Sequence, residues 1–102
     1  MDTKKLAKEL KQKLDKYDSF TGLYLFGSRV KGTHKPTSDI DIVGVFTNED
    51  SLEKQLDISG EVLDIELEYD VIIDFKYMTK EELEFNWVFF DEVKKGFYYA
   101  AG

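Results

Sequence analysis

Residues 27–41 read GSRVKGTHKPTSDID, and this stretch decides both the fold and the candidate site. A Gly-Ser pair at its start is separated by ten residues from an Asp-Ile-Asp at its end. Apolar runs adjoin both halves, LYLF at 23–26 and IVGVF at 42–46, which predicts a buried strand on each side. Since the two halves act only if they meet across one small pocket, we expect a strand–loop–strand unit that brings them together.

The two halves have the chemistry of a phosphate cradle and a divalent-metal site. Gly27 lets the backbone approach a phosphate closely, and Ser28 offers a hydroxyl and an N–H at a predicted helix start, where anions are favoured. Residues i and i+2 of a strand share a side, so Asp39 and Asp41 project together and repel unless a cation neutralises them. Mg²⁺ prefers oxygen ligands and is commonly held by one or two carboxylates plus substrate phosphates. The stretch therefore predicts a magnesium-dependent nucleotide site.

Three further residues are candidates for the same site. Asp74 lies in VIIDF at 71–75, and an acid among apolar neighbours is costly unless it is paired, liganded or at the sheet margin. It is the candidate third metal ligand and base, and the alternative is an edge strand that meets water. Arg29 and Lys31 are candidates for contact with triphosphate oxygens, and solvated surface charges are the alternative.

Length and composition predict one small globular domain, residues 1–102, with 42% hydrophobic residues. The absence of cysteine excludes disulfides, thiol catalysis and cysteine-ligated zinc. No stretch approaches the roughly 20 apolar residues of a membrane span, so we expect a cytoplasmic protein that does not contact a membrane. The net charge of -7 disfavours stable binding to nucleic acid, which usually requires a basic surface.

Hydrophobic periodicity predicts the order helix, strand, strand, helix, strand, helix, helix, extended segment. The expected helices span 3–17, with Thr3 as N-cap, and 51–68, with Gly60 as a point where that helix could break. The expected strands span 23–26, 39–46 and 71–77, and a single helical turn is expected at 28–32. Thr79-Lys80-Glu81-Glu82 matches a capping box that opens a short helix, and a further helix ends before Gly96. The fold class predicted is α/β (α+β), a small mixed sheet with helices packed on one face.

The pattern of Gly27-Ser28 and Asp39-Ile40-Asp41 resembles the hallmark of the nucleotidyltransferase superfamily that includes DNA polymerase beta. The resemblance covers residues 20–46 firmly and the later helices and strand more loosely. In size the chain is most similar to the minimal nucleotidyltransferases, often the antitoxin of a pair whose toxin is an all-helical HEPN ribonuclease. The resemblance implies a polymerase beta-like fold, Mg²⁺, and ATP-dependent transfer of AMP to a tyrosine of that toxin.

Three hypotheses about function remain open at this point. The first is a nucleotidyltransferase that uses Asp39, Asp41 and Asp74 to transfer NMP, AMP from ATP above all, to a hydroxyl on a partner protein. The second is a catalytically weak or inactive binding module that neutralises its partner by contact. The third, a transferase acting on nucleic acid, is disfavoured by the acidic charge. The short chain leaves no residues for an acceptor domain, so we expect the acceptor on another chain, within a homo- or hetero-oligomer.

Overall fold

The computed structural model describes residues 2–27 and 39–102, which form helices and strands. Within these ranges the elements, in chain order, are α1 Thr3–Leu14, β1 Phe20–Phe26, β2 Ile40–Phe46, α2 Leu52–Tyr69, β3 Ile73–Thr79, α3 Lys80–Phe85, α4 Trp87–Val93 and β4 Phe97–Ala100. The helical turn predicted at 28–32 lies outside the described residues. No helix in the described ranges is long and apolar enough to cross a membrane.

The four strands form one mixed sheet in the order β3-β2-β1-β4. β1 is antiparallel to both β2 and β4, whereas β2 and β3 are parallel. A parallel pair needs a long crossover connection, and α2 supplies it. The prediction of a small mixed sheet in an α/β (α+β) fold is confirmed.

The two long helices cover one face of the sheet and form the main core with it. Alternation along the strands sends Leu23 and Leu25 of β1 and Ile40 and Ile42 of β2 to this face, where all four are buried. The buried helical residues are Leu6, Leu10 and Leu14 of α1 and Ile58, Val62 and Ile65 of α2. Each fully buried aliphatic side chain contributes roughly 1.5–3 kcal/mol, so this face supplies most of the apolar stabilisation.

The opposite face carries a smaller apolar cluster, which the sequence prediction of helices on one face did not include. Phe26 and Val43 point to this side and pack with Val93 of α4, all three buried. The Phe26 and Phe89 rings meet edge to face, with centroids 5.6 Å apart. Because apolar side chains occupy this face too, α4 folds back across it and covers part of the sheet.

Most element ends differ from their predicted positions by a few residues. The N-cap of α1 is Asp2 rather than Thr3, because the Asp2 carboxylate accepts hydrogen bonds from the N–H groups of Lys4 and Lys5, both at 3.1 Å. The helix ends at Leu14 instead of residue 17. The capping box of Thr79 and Glu82 is present as predicted.

The helix predicted over 51–68 is confirmed as α2, which runs without a break through Gly60 and continues to Tyr69. α2 ends at Asp70, which adopts the left-handed conformation (φ 53°). β3 begins at Ile73, two residues after the predicted start at Val71. The Ile73 N–H donates to Oε2 of Glu66 at 2.8 Å, so the helix also fixes where β3 begins.

Asp50, in the connection between β2 and α2, joins three segments through hydrogen bonds. Its Oδ2 accepts from the hydroxyls of Ser19 at 2.5 Å and Tyr77 at 2.7 Å. Burial acts to raise the pKa of Asp50, but the hydrogen bonds from Ser19 and Tyr77 outweigh it and hold the pKa below its usual value. Burial and the bond to Asp50 raise the pKa of Tyr77 to about 12.

We predict that Asp50→Asn lowers the free energy of unfolding by about 1.5–3 kcal/mol at pH 7, the range for hydrogen bonds to charged groups. A carboxyl with a lowered folded-state pKa stabilises the fold above its unfolded pKa, about 3.9, and this contribution is lost as pH falls through the folded pKa. The difference in free energy of unfolding between wild type and Asp50→Asn should therefore persist down to about pH 4 and vanish below it. Urea unfolding at a series of pH values measures this difference.

Asp91→Asn is the matched control for this prediction. Asp91 is exposed and lies 3.7 Å from Lys94 in a surface ion pair, which contributes about 0–1 kcal/mol. An Asp50→Asn variant as stable as Asp91→Asn at neutral pH would contradict the role assigned to Asp50.

Candidate functional site

The predicted site residues that the structure describes lie at one end of the sheet, where β1 ends and β2 and β3 begin. Gly27 directly follows β1, and Asp39 directly precedes β2. The strand register pairs Phe26 with Asp41 and Asp41 with Asp74. The fold therefore brings together residues that are far apart in sequence. Ser28, Arg29 and Lys31, the other predicted nucleotide contacts, lie outside the described residues.

Asp41 and Asp74 share one face of the sheet. They are register partners on parallel strands, which lie roughly 4.8 Å apart, and side chains of paired residues point to the same side. This is the face away from α1 and α2, because Ile40, Ile42 and Ile73 take the core side. Asp39 precedes Asp41 by two residues, lies directly before β2 and is exposed.

Gly27 brings the backbone into close contact with the Asp41 carboxylate. Its φ of +86° lies in the left-handed region that side chains disfavour. A Cβ at this position would overlap Oδ2 of Asp41 and lie 3.0 Å from its Cγ. Glycine is thus required here both by the backbone conformation and by the space that the carboxylate fills.

Negative charge accumulates at this end of the sheet. Asp41 is half-buried, and burial, followed by the charges of Asp74 and Asp39, raises the pKa of its carboxyl. Lys76 opposes this shift. Ionised carboxylates held this close favour a cation between them, whether a side chain or a metal ion.

Lys76 is a site residue that the sequence analysis missed. Its Nζ lies 3.2 Å from both carboxylate oxygens of Asp74, two residues earlier on the same face of β3. The i, i+2 spacing was the available signal, since it places both side chains on one face of a strand. Both side chains of the pair are nearly half exposed. The ion pair therefore contributes only about 0–1 kcal/mol to the free energy of unfolding, and another cation can replace Lys76 beside Asp74.

The donor set of the site suits a hard cation. Asp39, Asp41 and Asp74 offer only carboxylate oxygens as ligands, and these are the ligands that Mg²⁺ prefers. Within residues 2–27 and 39–102, no three acidic or histidine side chains stand close enough together to form a complete metal site. The chemistry of these residues fits a metal ion whose coordination is completed by substrate phosphates.

We predict that Gly27→Ala lowers the free energy of unfolding by about 1–3 kcal/mol, because the new Cβ strains the backbone and displaces the Asp41 carboxylate. Denaturant unfolding measures the loss. Gly102→Ala is the control, since Gly102 also has a positive φ (+116°) but nothing lies within 4 Å of where its Cβ would be. Equal stability of the Gly27→Ala variant and the wild type would show that Gly27 does not press on Asp41.

Comparison with known proteins gives a family match. The family model described as "Polymerase beta, Nucleotidyltransferase" matches residues 8–93, which include both strands of the site and β3. No curated protein sequence matches the chain significantly.

Solved structures share the fold. A provisionally assigned nucleotidyltransferase aligns over 98% of both chains with 26% identity and a TM-score of 0.59. A second one, from Sulfolobus solfataricus, aligns over 92% of this chain and 76% of its own with 26% identity and a TM-score of 0.53. A chain from a variant of the toxin-antitoxin MntA-HpeT shows the same fold at 21% identity and a TM-score of 0.52; the match covers 76% of this chain but only 57% of that one.

The family match extends over most of the chain, and Gly27, Asp39, Asp41 and Asp74 all lie inside it. The chain belongs to the polymerase beta-like nucleotidyltransferase family.

Proposed function

We propose that this protein transfers NMP, specifically AMP from ATP, to a hydroxyl group on a partner protein. The proposal depends on one observation at the end of the sheet. Gly27 contacts the Asp41 carboxylate, and Asp41 is the register partner of Asp74. A close backbone approach next to paired carboxylates suits a metal-bound triphosphate. The family assignment supports transfer of a nucleotidyl group rather than another phosphate reaction.

Each residue has a separate role in the proposed reaction. Asp39 and Asp41 hold Mg²⁺, with Asp74 as the third ligand, and the ion supplies charge neutralisation for the triphosphate. Gly27 and Ser28 accommodate the triphosphate, and Arg29 and Lys31 contact its oxygens.

The bond changes follow from the chemistry of nucleotidyl transfer. The acceptor oxygen forms a bond to the α-phosphorus of ATP while the bond to the leaving pyrophosphate breaks, and the acceptor proton passes to the Asp74 carboxylate. Lys76 lies against Asp74 and offsets its charge until the nucleotide arrives.

The proposed acceptor is a tyrosine of a HEPN-type toxin, and this chain is its antitoxin. A structural neighbour belongs to a toxin-antitoxin pair, MntA-HpeT, which supports a toxin as the partner. We propose that the reaction takes place in the cytoplasm, where ATP and Mg²⁺ are available.

A second candidate function is an antitoxin that neutralises its partner by contact alone. The ion pair between Lys76 and the exposed Asp74 favours this candidate. Lys76 contacts both oxygens of the carboxylate that would have to accept the proton in the transfer reaction. In this case the end of the sheet that carries Asp39, Asp41 and Asp74, called the acid end of the sheet below, has no catalytic role. The partner then binds to other surfaces.

The experiment combines the protein with the product of the adjacent gene, Mg²⁺ and ATP labelled at the α-phosphate. We expect label on the partner with wild type and with Asp91→Asn, an exposed acid outside the site. Label should be lost in the Asp39→Asn/Asp41→Asn double variant, and Asp74→Asn should slow labelling by about 10²–10⁴-fold, the range for a general base.

Neutralisation of the partner without any labelling by wild type would overturn the transfer activity and support neutralisation by contact. Label on RNA or DNA instead of protein would overturn the proposed acceptor. Undiminished labelling by the Asp39→Asn/Asp41→Asn variant would place the active site elsewhere.

A further inference from the structure

The outward side of α2 carries a stripe of exposed leucines. Leu52, Leu56, Leu63 and Leu67 have exposed fractions of 73%, 63%, 52% and 72%. Their spacing of 4, 7 and 4 residues places them along one side of the helix, nearly opposite the buried residues of α2. Scattered exposed leucines are ordinary, but four on one helical stripe form a continuous apolar surface. This stripe is called the α2 outer face below.

Small residues lie at the middle of the α2 outer face. Ser59 and Gly60 separate Leu56 from Leu63, and nothing lies within 4 Å of where a Cβ of Gly60 would be. Glycine is unfavourable inside an exposed helix, and no packing within the described chain requires it here. A small residue at the centre of a stripe lets a second helix approach closely, because interaxial distance depends on the side chains at the contact.

Acidic residues border this stripe on one side. Glu53, Asp57, Asp64 and Glu68 are exposed and lie along the same flank at helical spacing, and Lys54 is the one basic residue of α2. A cleft of ≈ 580 Å³ opens beside the stripe, lined by Leu56, Gly60 and Tyr17, by the acids Asp57, Glu61 and Asp64, and by Lys16, whose Nζ lies 3.1 Å from Oε1 of Glu61. Three acids against one lysine leave the cleft negative next to apolar surface, which suits the aliphatic stem and charged head of a lysine or arginine.

We propose that the α2 outer face docks an amphipathic helix of a partner protein, with apolar residues against the leucines and Lys or Arg against the acidic flank. Charge complementarity selects this occupant. A second copy of the chain carries the same acidic flank and a net charge of -7, and antiparallel pairing of two α2 helices sets acid against acid.

This surface is separate from the acid end of the sheet. α2 packs on the face that buries Ile40 and Ile42, whereas Asp41 projects to the other face. A helix docked on α2 therefore leaves the candidate active site open. The docking inference does not depend on the transfer reaction, and an Asp39→Asn/Asp41→Asn variant should bind the same helix.

The test uses two synthetic helical peptides with the same leucine stripe, one flanked by lysine and arginine and the other by glutamate. Calorimetric titration should show binding of the basic peptide, weakened at high salt, and no binding of the acidic peptide. Leu56→Ser plus Leu63→Ser should weaken binding by at least about 10-fold, since each exposed leucine buried at an interface contributes apolar area. Ile72→Ser, an equally exposed apolar position outside the stripe, should leave binding unchanged.

A charge reversal provides a second, independent arm. Asp57→Lys plus Asp64→Lys leaves two acids and two lysines on the flank, so binding of the basic peptide should weaken and its preference over the acidic peptide should disappear. Equal binding of both peptides by wild type, no binding of the basic peptide, or insensitivity to the leucine substitutions would overturn the proposal. A concentration-dependent dimer in sedimentation equilibrium that disappears in Leu56→Ser/Leu63→Ser would assign the surface to a second copy and overturn it as well.

Discussion

The register of β2 is the constraint on which both the core and the candidate site depend. Ile40 and Ile42 are fully buried against α1 and α2, so the residues between and beside them must face the other way. A shift of one residue would bury Asp41 in that core and expose both isoleucines. The free energy of apolar burial thus holds Asp41 on the open face, and the pairing with β1 and β3 then places it beside Gly27 and Asp74.

The acids at the end of the sheet differ physically from those of α2. Asp41 is half-buried, has its pKa raised, and lies across the strand pair from Asp74. The acids of α2 are spread along a helix that faces solvent, where water and salt screen them. A single cation between Asp41 and Asp74 would stabilise the first arrangement. The acids along α2 would instead bind an extended basic surface, with a weak contribution from each charge. The proposed metal-bound nucleotide and the proposed partner helix would therefore use different parts of the protein's negative charge.

Local sequence predicted the parts of the site that follow from strand alternation. The side shared by Asp39, Asp41 and Val43 follows from their spacing, and Asp74 faces outward whether β3 begins at residue 71 or 73. Lys76 follows from the same rule but was overlooked. The pairing of β4 with β1 and the bonds of Asp50 to Ser19 and Tyr77 join distant segments, and no local pattern specifies them. The helix over 51–68 was predicted, but periodicity does not reveal which of its two apolar sides the sheet covers.

The acid end of the sheet, and not the acidic surface of α2, is the proposed site for a metal-complexed nucleotide. Titration of isotope-labelled protein with Mn²⁺ and a non-hydrolysable ATP analogue distinguishes the two surfaces by paramagnetic broadening of amide signals. We expect the signals of Gly27, Asp41 and Asp74 to broaden at Mn²⁺ concentrations that leave the signals of Asp57 and Asp64 sharp. Equal broadening along α2, or sharp signals at the end of the sheet, would overturn this assignment.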